Sequence, residues 1–297
     1  MKIKFWGTRG SIPTPACEGF STSRYGGNTP CVEIKTRNGT TIIIDTGTGA
    51  RPLGNKLMGL APDNRKLENT PFSMGKGRVY VFFSHFHWDH IQGLPFFKPL
   101  FVEGNTIDFY GGKGCKKNLA YQMKKPFFPV EIDNTLSNKN YHDFVDGDTV
   151  RIGNVKITVR KLDHTDDVYG FRVQDSKKVF TYASDVEHNL DNEKNLYELA
   201  KGSDMLVYDC QYTFMEYAPE VHGKEGTGKK QWGHSIIQEG IKIASAVGVK
   251  KLVSFHHGPE SPDIKIDDVI KFAQRYKMNY SKSLEIIAAQ EGLEIEV

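Results

Sequence analysis

The hydrophobic and polar positions in the first part of the chain alternate as they do in β-strands joined by turns. Lys2–Trp6 alternates polar and apolar residues and predicts a strand. Cys31–Thr36 and Thr40–Asp45 are two further strand-like runs on either side of Asn38-Gly39, a strong signal for a two-residue turn. The chain therefore begins with a strand, a loop rich in glycine and proline, and a β-hairpin.

Later apolar runs predict more strands and a few helices. Arg78–Ser84 (RVYVFFS) is a continuous apolar run typical of a strand that is buried on both faces. Further strands are predicted at Thr106–Tyr110, Thr149–Leu162, Gly170–Val173, Lys178–Ala183, Met205–Asp209 and Lys251–Phe255, with two short ones in 284–297. Helices are predicted at Leu190–Gly202, Ser235–Val247 and Ile264–Tyr276.

Strands in two groups with a few helices predict an α+β protein in which sheets pack together and helices lie outside. No linker rich in proline and serine divides the chain, so we expect one domain over 1–297. The segment 54–77 is rich in glycine, proline, asparagine and lysine, and it predicts an excursion on the surface.

Composition and charge mainly exclude certain classes of protein. Of the 297 residues, 38% are hydrophobic and 25% charged, which is ordinary for a globular protein and excludes a fibrous or largely disordered chain. The net charge of +3 argues neither for nor against an anionic partner. The start MKIKFWGTRG lacks a secretory signal, and no stretch is apolar enough for a membrane span. The four cysteines lie far apart in the sequence. We therefore expect a cytoplasmic protein with reduced thiols.

A cluster of metal-ligand residue types follows the buried run directly. SHFHWDH supplies His85, His87, Asp89 and His90, and imidazole and carboxylate suit zinc and neighbouring metals. A strand that ends in a loop can place such closely spaced side chains around one point. The spacing allows two adjacent metals, although surface histidines at a strand end are the alternative interpretation.

Candidate ligands at three further places in the chain would complete two metal sites, and each place lies just beyond a predicted strand. His164 follows the strand that ends at Leu162, and His256 and His257 follow the strand that ends at Phe255. Asp185 follows the strand that ends at Ala183, and a carboxylate there could bridge two cations. Strand alternation directs only one of the two adjacent histidines toward the metals. Each residue alone is more often structural, but together with His85–His90 they predict a metal site.

The H-x-H-x-D-H motif at His85–His90 resembles that of the metallo-β-lactamase-fold hydrolases, and the resemblance covers almost the whole chain. It implies an αββα four-layer sandwich with two divalent metal ions, zinc first and manganese or iron as alternatives. The implied ligands are His85, His87, His164 and Asp185 for one metal, and Asp89, His90, Asp185 and His256 for the other.

Within that family the chain most resembles ribonuclease Z and the small cyclic-phosphate phosphodiesterases. The matching motifs are Gly93-Leu94-Pro95, Leu162–Arg172 and Gly233–Ser235. The resemblance implies that His234, at the start of a predicted helix, supports the scissile phosphate or protonates the leaving oxygen. It makes Asp209 an acid that supports the site, and Asp89 the group that orients a metal-bridging hydroxide, the expected nucleophile.

One departure bears on the substrate. Short ribonuclease Z enzymes carry a long tRNA-binding arm between the positions of His164 and Asp185, but here only 20 residues separate them. The chain has a different lid-like insertion at 109–148. Its part Phe109–Val130 combines five lysines with four aromatic residues: Lys113, Lys116, Lys117, Lys124, Lys125, Tyr110, Tyr121, Phe127 and Phe128. This segment could stack on nucleic-acid bases, and it could equally be a solvated helix, a lid or a dimer contact.

The leading prediction is a phosphodiesterase that opens a small cyclic phosphate or a nucleotide diester. The alternatives are a ribonuclease Z-like nuclease of RNA 3′ ends, a lactone or thioester hydrolase, and a metal or nucleotide sensor without turnover. The basic segment Gly223–Lys230 is either a phosphate cradle, through Lys224, Lys229 or Lys230, or a solvated loop. A homodimer is left open, and no membrane partner is expected.

Overall fold

The computed structural model describes residues 1–187, 193–218 and 228–297. Two seven-stranded mixed sheets account for its strands. The first sheet consists of β1 (Lys2–Gly7), β2 (Cys31–Lys35), β3 (Thr41–Ile44), β4 (Arg78–Phe82), β5 (Thr106–Gly111), β6 (Asn138–Asp143) and β14 (Glu294–Glu296). The second consists of β7 (Thr149–Ile152), β8 (Val155–Leu162), β9 (Val168–Asp175), β10 (Lys178–Ala183), β11 (Met205–Asp209), β12 (Lys251–Phe255) and β13 (Glu285–Ala288).

Most of the helices cover the outer faces of the sheets. The helices are α1 (Ala50–Leu57), α2 (Trp88–Ile91), α3 (Cys115–Gln122), α4 (Glu193–Ala200), α5 (Phe214–Tyr217), α6 (Ile237–Ala246) and α7 (Asp263–Tyr276). Short 3₁₀ turns occur at Leu94–Phe96, Lys98–Phe101, Ile132–Asn134 and Lys277–Asn279. Among the described residues, no helix combines the length and the apolar character that crossing a membrane requires.

Three apolar layers hold the sandwich together. The central layer lies between the sheets, where Phe5 and Phe82 of the first sheet meet Phe171 and Phe255 of the second. A second layer joins the first sheet to α1, α3 and the 3₁₀ turns, and a third joins the second sheet to α4, α6 and α7. The predicted α+β sandwich of four layers in a single domain is therefore confirmed.

The strand directions place the ends of several strands at one edge. β3 to β6 run parallel in the first sheet, and β10 to β13 run parallel in the second. β8 runs in the same direction as β10, because each is antiparallel to β9. Residues that follow these strands can therefore converge on one site.

Several sequence-based boundaries were wrong. Thr149–Leu162 is not one strand but the hairpin β7–β8, which turns at Gly153 with a φ of 56°. The segment 54–77 is only partly an excursion, because its first four residues belong to α1, whereas 62–69 is exposed. The segment 109–148 contributes the end of β5, α3 and all of β6, so part of it belongs to the first sheet.

The helix predictions held with shifted ends. α6 begins at Ile237, so His234 lies in the segment before the helix and does not open it. The predicted Leu190–Gly202 corresponds to α4, and residues 190–192 lie outside the described residues. Cys31, Cys115 and Cys210 are buried free thiols, while the Cys17 thiol is free and exposed.

Candidate metal centre

The candidate ligands do converge at the shared edge of the two sheets. His85 lies three residues beyond β4, His164 two beyond β8, Asp185 two beyond β10, and His256 directly after β12. The structure brings them into two adjacent groups of side chains that could each hold a cation, and a third such group joins Asp185 and His256 of the second to Asp209 and His234. We refer to the two adjacent groups as the first and the second cluster.

The first cluster consists of His85, His87 and His164. Nε2 of His164 lies 3.4 Å from Nδ1 of His87, and the rings of His85 and His87 are 4.4 Å apart. Nε2 of His85 is buried and has no hydrogen-bond partner among the described residues. A buried polar atom without a partner is costly, so three converging imidazole nitrogens fit a bound cation.

The second cluster consists of Asp89, His90, Asp185 and His256, all buried. Nε2 of His256 lies 3.1 Å from Asp89 Oδ2 and 3.2 Å from Asp185 Oδ1. Nε2 of His90 lies 3.1 Å from Asp185 Oδ2. Asp185 and His256 both have left-handed backbone, with φ of 54° and 57°. Such strain costs about 1–3 kcal/mol per residue and is found mostly at functional sites.

Most of these groups have charges that suit a cation. The exception is His90: burial lowers its pKa, but the nearby carboxylates outweigh it and raise the pKa well above its usual value, so this ring must lose a proton to bind a metal. Burial raises the pKa values of Asp89 and Asp185, but the imidazoles of His90 and His256 outweigh it and hold both pKa values well below the usual range. Burial lowers the pKa of His85 well below its usual value. Ionised carboxylates and a neutral imidazole are the states in which these side chains bind metals.

Asp185 groups with His90 and His256 and lies outside the first cluster. The adjacent histidine, His257, points elsewhere: its Nε2 donates to the carbonyl oxygen of Ala289 at 2.9 Å. Burial lowers the pKa of His257 to about 3. Of the two adjacent histidines, His256 is therefore the one at the cluster.

His234 and Asp209 form a buried pair beside the second cluster. Nδ1 of His234 lies 2.8 Å from Asp209 Oδ2, and the His234 ring is 4.9 Å from that of His256. Burial disfavours the charged imidazole, but Asp209 outweighs it and raises the pKa of His234 to about 9. Nδ1 is thus occupied, and Nε2 is the ring nitrogen that can reach a substrate.

Sequence reasoning missed Asp45. Its Oδ2 lies 2.8 Å from Nδ1 of His90 and accepts a hydrogen bond from the Tyr182 hydroxyl at 2.8 Å. Its Oδ1 accepts from the backbone N–H of Ser84 at 2.8 Å. A signal was present, because Asp45 directly follows β3 at the same sheet edge as the other acids. An acid behind a ligand histidine fixes the ring and its tautomer.

The first cluster is supported in a similar way. Nε2 of His87 lies 2.9 Å from Oδ2 of Asp166, an exposed residue. Nδ1 of His164 donates to the carbonyl oxygen of Gly233 at 2.6 Å. A Cβ on Gly233 would lie 2.3 Å from that nitrogen, so this glycine permits a close approach. These partners leave Nδ1 of His87 and Nε2 of His164 to face each other.

The N-terminal loop also reaches the site. The backbone N–H of Ser11 donates to Asp89 Oδ2 at 2.8 Å. A Cβ on Gly10 would lie 2.4 Å from Nδ1 of His256. The glycine therefore lets the loop pack directly against the second cluster.

A cleft of about 750 Å³ opens at the first cluster. Its wall includes Lys113 and Asn118, so the basic segment Phe109–Val130 does reach the site. Tyr110 instead stacks on Phe82 within the sandwich. Tyr121 is exposed, and the Lys124 ammonium lies 3.7 Å from the centre of its ring. Lys224 and residues 219–227 as a whole lie outside the described residues.

Comparison with known proteins agrees with this geometry. A family model described as a beta-lactamase superfamily domain matches residues 40–257, which is well over half of the chain. The chain therefore belongs to the beta-lactamase superfamily, and its fold is that of the metallo-β-lactamase hydrolases, as the motif at His85–His90 predicted.

Individual relatives are distant. The chain is 25% identical over 224 residues to a ribonuclease Z of Exiguobacterium sp., which covers 59% of this chain and 70% of that one. Zn²⁺-bound PqqB from Methylobacterium extorquens has a TM-score of 0.68 at 14% identity, over the full length of both chains. A diphosphatase from the PhnP family has a TM-score of 0.62 at 17% identity, over all of this chain and 97% of that one. The last two likenesses show the shared fold.

Proposed function

We propose that this protein is a metal-dependent phosphodiesterase that opens a small cyclic phosphate or a nucleotide diester. The observation that carries the proposal is the position of the His234–Asp209 pair, a proton donor next to two clusters of metal-ligand residues. Two similar proteins bear the names ribonuclease Z and diphosphatase, which supports phosphate chemistry.

In this proposal His85, His87 and His164 would hold one divalent cation, and Asp89, His90, Asp185 and His256 would hold a second. The donor set of imidazoles and carboxylates suits zinc, and also manganese or iron. When bound, such a pair of cations lowers the pKa of a water molecule and offsets negative charge on the phosphate oxygens.

The remaining steps belong to side chains of the protein. The Asp89 carboxylate, fixed by the Ser11 N–H, accepts a hydrogen bond from the attacking water, which enters as hydroxide, and orients it toward phosphorus. The water oxygen forms a bond to phosphorus as the bond from phosphorus to one ester oxygen breaks. Nε2 of His234 gives its proton to that leaving oxygen, and Asp209 stabilises the imidazolium before the transfer. The products are a phosphomonoester and an alcohol, joined in one molecule when the substrate is cyclic.

The segment that connects His164 to Asp185 favours a small substrate. The residues between His164 and Asp185 form the hairpin β9–β10, whose strands pair within the second sheet. The tRNA-binding arm that a short ribonuclease Z carries at this place has no counterpart in this hairpin. This supports a small diester over tRNA.

A nuclease acting on RNA 3′ ends is the second candidate. The similarity to a ribonuclease Z favours it, as does Lys113 at the wall of the cleft. Exposed basic side chains with aromatic rings between them suit a single strand of RNA. The two candidates share the metal centre and differ in the size of the substrate.

The reaction class can be tested with generic substrates. The protein, loaded with zinc or manganese, is assayed on bis-p-nitrophenyl phosphate, an acyl-homoserine lactone and a thioester. We expect hydrolysis of the diester, and we expect His87→Ala to lose metal and activity together. Hydrolysis of the lactone or thioester alone would contradict the proposal, and so would full diester hydrolysis by metal-free His87→Ala.

A further inference from the structure

A cavity of about 280 Å³ opens beside His234, apart from the cleft at the first cluster. Its described lining includes Ser11, Gln211, Tyr212, Lys229, Trp232 and His234. We call it the Trp232 cavity. Pockets for drug-sized ligands measure about 300–1,000 Å³, so this one suits a smaller group at the scale of a single ring system. It adjoins the side chain that would protonate the leaving oxygen.

The walls of the Trp232 cavity are aromatic. Trp232 is 58% exposed, which is unusual for so large an apolar ring in the wall of a cavity. Tyr212 is buried, and its ring meets the His234 ring edge-on with centres 5.7 Å apart. An exposed indole offers a flat face on which a planar ring can stack.

Gln211 supplies polar groups to the same cavity. Its Nε2 donates to the Tyr212 hydroxyl at 3.1 Å, and its Oε1 accepts from the Ser11 hydroxyl at 3.4 Å. An amide has two N–H donors and two acceptor positions, so each end retains a further hydrogen-bonding position. The backbone N–H of Gln211 donates to Asp209 at 3.0 Å, which ties it to the acid that holds His234.

The charges of the lining favour an uncharged occupant. Two lysines and two glutamates line the cavity: Lys229, Lys265, Glu216 and Glu260. Lys265 pairs with Glu216 at 2.6 Å, and the Lys229 ammonium lies 4.8 Å from the centre of the Tyr212 ring. A second phosphate would need an excess of positive charge, whereas a neutral heterocycle with hydrogen-bonding edges does not.

We propose that the Trp232 cavity holds the nucleobase of the substrate. In this arrangement the Trp232 indole stacks on the base, and the Gln211 amide forms hydrogen bonds with the edge of the base. This inference rests on the proposed phosphodiesterase function and specifies its substrate as a nucleotide. It also relocates base recognition from the segment Phe109–Val130. Tyr121 of that segment is not among the described residues that line the Trp232 cavity or the cleft.

The test compares two cyclic phosphates that differ only in the base. One is a 2′,3′-cyclic nucleotide, and the other is the 2′,3′-cyclic phosphate of methyl ribofuranoside, which has no base. We expect Trp232→Ala to raise KM for the nucleotide roughly tenfold, the scale of one base–aromatic stack, with kcat nearly unchanged. The same variant should leave the base-free substrate unaffected, and Trp232→Phe should retain most of the affinity for the nucleotide.

Tyr121→Ala is the matched control, because Tyr121 is also a half-exposed aromatic residue. It should hydrolyse both substrates like the unmodified protein. An equal loss on both substrates with Trp232→Ala would overturn the inference, because the indole would then act on something other than the base. A loss specific to the nucleotide in Tyr121→Ala, with none in Trp232→Ala, would overturn it as well.

Tryptophan fluorescence separates this inference from the proposed function. Adenosine and uridine monophosphates should quench the emission of the metal-loaded protein, and Trp232→Phe should abolish the quench although Trp6 and Trp88 remain. A quench that persists in Trp232→Phe overturns the inference, even if cyclic phosphates are hydrolysed. Quenching through Trp232 without hydrolysis of any diester supports the cavity assignment and contradicts the proposed function.

Discussion

The Asp45 carboxylate lies 2.8 Å from Nδ1 of His90, on the opposite side of the ring from Asp185, which lies 3.1 Å from Nε2. The Tyr182 hydroxyl donates to the same oxygen of Asp45. All of these side chains are buried. The His90 ring therefore has a fixed orientation before any cation binds, and Nε2 is directed at the second cluster.

Replacement of Asp45 should weaken metal binding. We expect Asp45→Ala to lower the affinity for zinc about 10- to 100-fold, the usual effect of losing an acid behind a ligand histidine. Zinc competition against a chromophoric chelator measures it. Asp45→Asn keeps the shape of the side chain and should show a smaller loss, and the exposed Asp63→Ala is the control. Unchanged zinc affinity in a folded Asp45→Ala would contradict the assignment of His90.

Asp166 should matter less than Asp45, although each contacts a ligand histidine. Oδ2 of Asp166 lies 2.9 Å from Nε2 of His87, but its side chain is 72% exposed. Solvent screening weakens such exposed contacts, which contribute about 0–1 kcal/mol. We expect Asp166→Ala to lower zinc affinity by less than about tenfold in the same titration. If Asp166→Ala lost more zinc affinity than Asp45→Ala, the exposure of these acids would not determine how much each contributes to zinc binding.

The role of His234 predicts a dependence on the leaving group. His234→Gln should lower kcat on a cyclic nucleotide by about 10²–10⁴, because the alkoxide that leaves needs a proton. On bis-p-nitrophenyl phosphate the loss should be small, since nitrophenolate leaves without one. Bound metal, measured in parallel, should stay unchanged. Equal losses on both substrates would contradict proton donation by His234.

Gly10 should be intolerant of a side chain. A Cβ at this position would lie 2.4 Å from Nδ1 of His256, closer than a carbon and a nitrogen can approach. We expect Gly10→Ala to displace His256 and to lower the bound metal of the second cluster, as measured by metal analysis of the purified protein. Gly39→Ala is the control, because Gly39 has open space around it although its φ of 80° is strained for alanine. Equal metal contents in the two variants would contradict the prediction.

Asp263 should make the fold sensitive to acid. Burial raises its pKa, but hydrogen bonds from the Ser21 hydroxyl and from the backbone N–H groups of Arg24 and Tyr25 outweigh it, so the pKa is lowered on folding. A carboxyl whose pKa is lowered on folding stabilises the protein above its unfolded pKa. That stabilisation is lost as the pH falls through the pKa of the folded state.

Denaturant unfolding between neutral pH and about pH 3 measures this effect. We expect Asp263→Asn to lower the free energy of unfolding by about 1–2 kcal/mol at neutral pH. The difference from the unmodified protein should shrink toward low pH, where the Asp263 carboxyl is protonated. If the difference in the free energy of unfolding grew as the pH fell, the pKa of Asp263 would not be lowered on folding. Asp268→Asn, an exposed carboxyl on the same helix, is the control.

The sequence predicted the central part of the fold and site because strand ends carry a clear signal. Apolar runs marked β4, β10 and β12, and parallel strands bring the residues that follow them to one edge. His85, Asp185 and His256 could therefore be associated although they lie far apart in the chain. The spacing could not show that Asp185 faces the second cluster and lies outside the first.

Other features had no signal of that strength. β6 has the sequence NKNYHD, which is polar because it is an edge strand with mostly exposed or half-exposed side chains. The sequence predicted β7 and β8 as one strand because the turn at Gly153 is very short. Trp232 could not be assigned from the sequence, because its exposure beside His234 depends on how distant loops pack.

The most direct test of the account combines metal analysis with hydrolysis of 2′,3′- and 3′,5′-cyclic nucleotides, beside a tRNA precursor with a 3′ trailer. We predict two metal ions per chain, rapid opening of a cyclic phosphate, and no trailer cleavage. Two metal ions with trailer cleavage alone would contradict the small-substrate account and establish the nuclease instead. Bound metal without hydrolysis of any phosphodiester would contradict the proposed catalysis altogether.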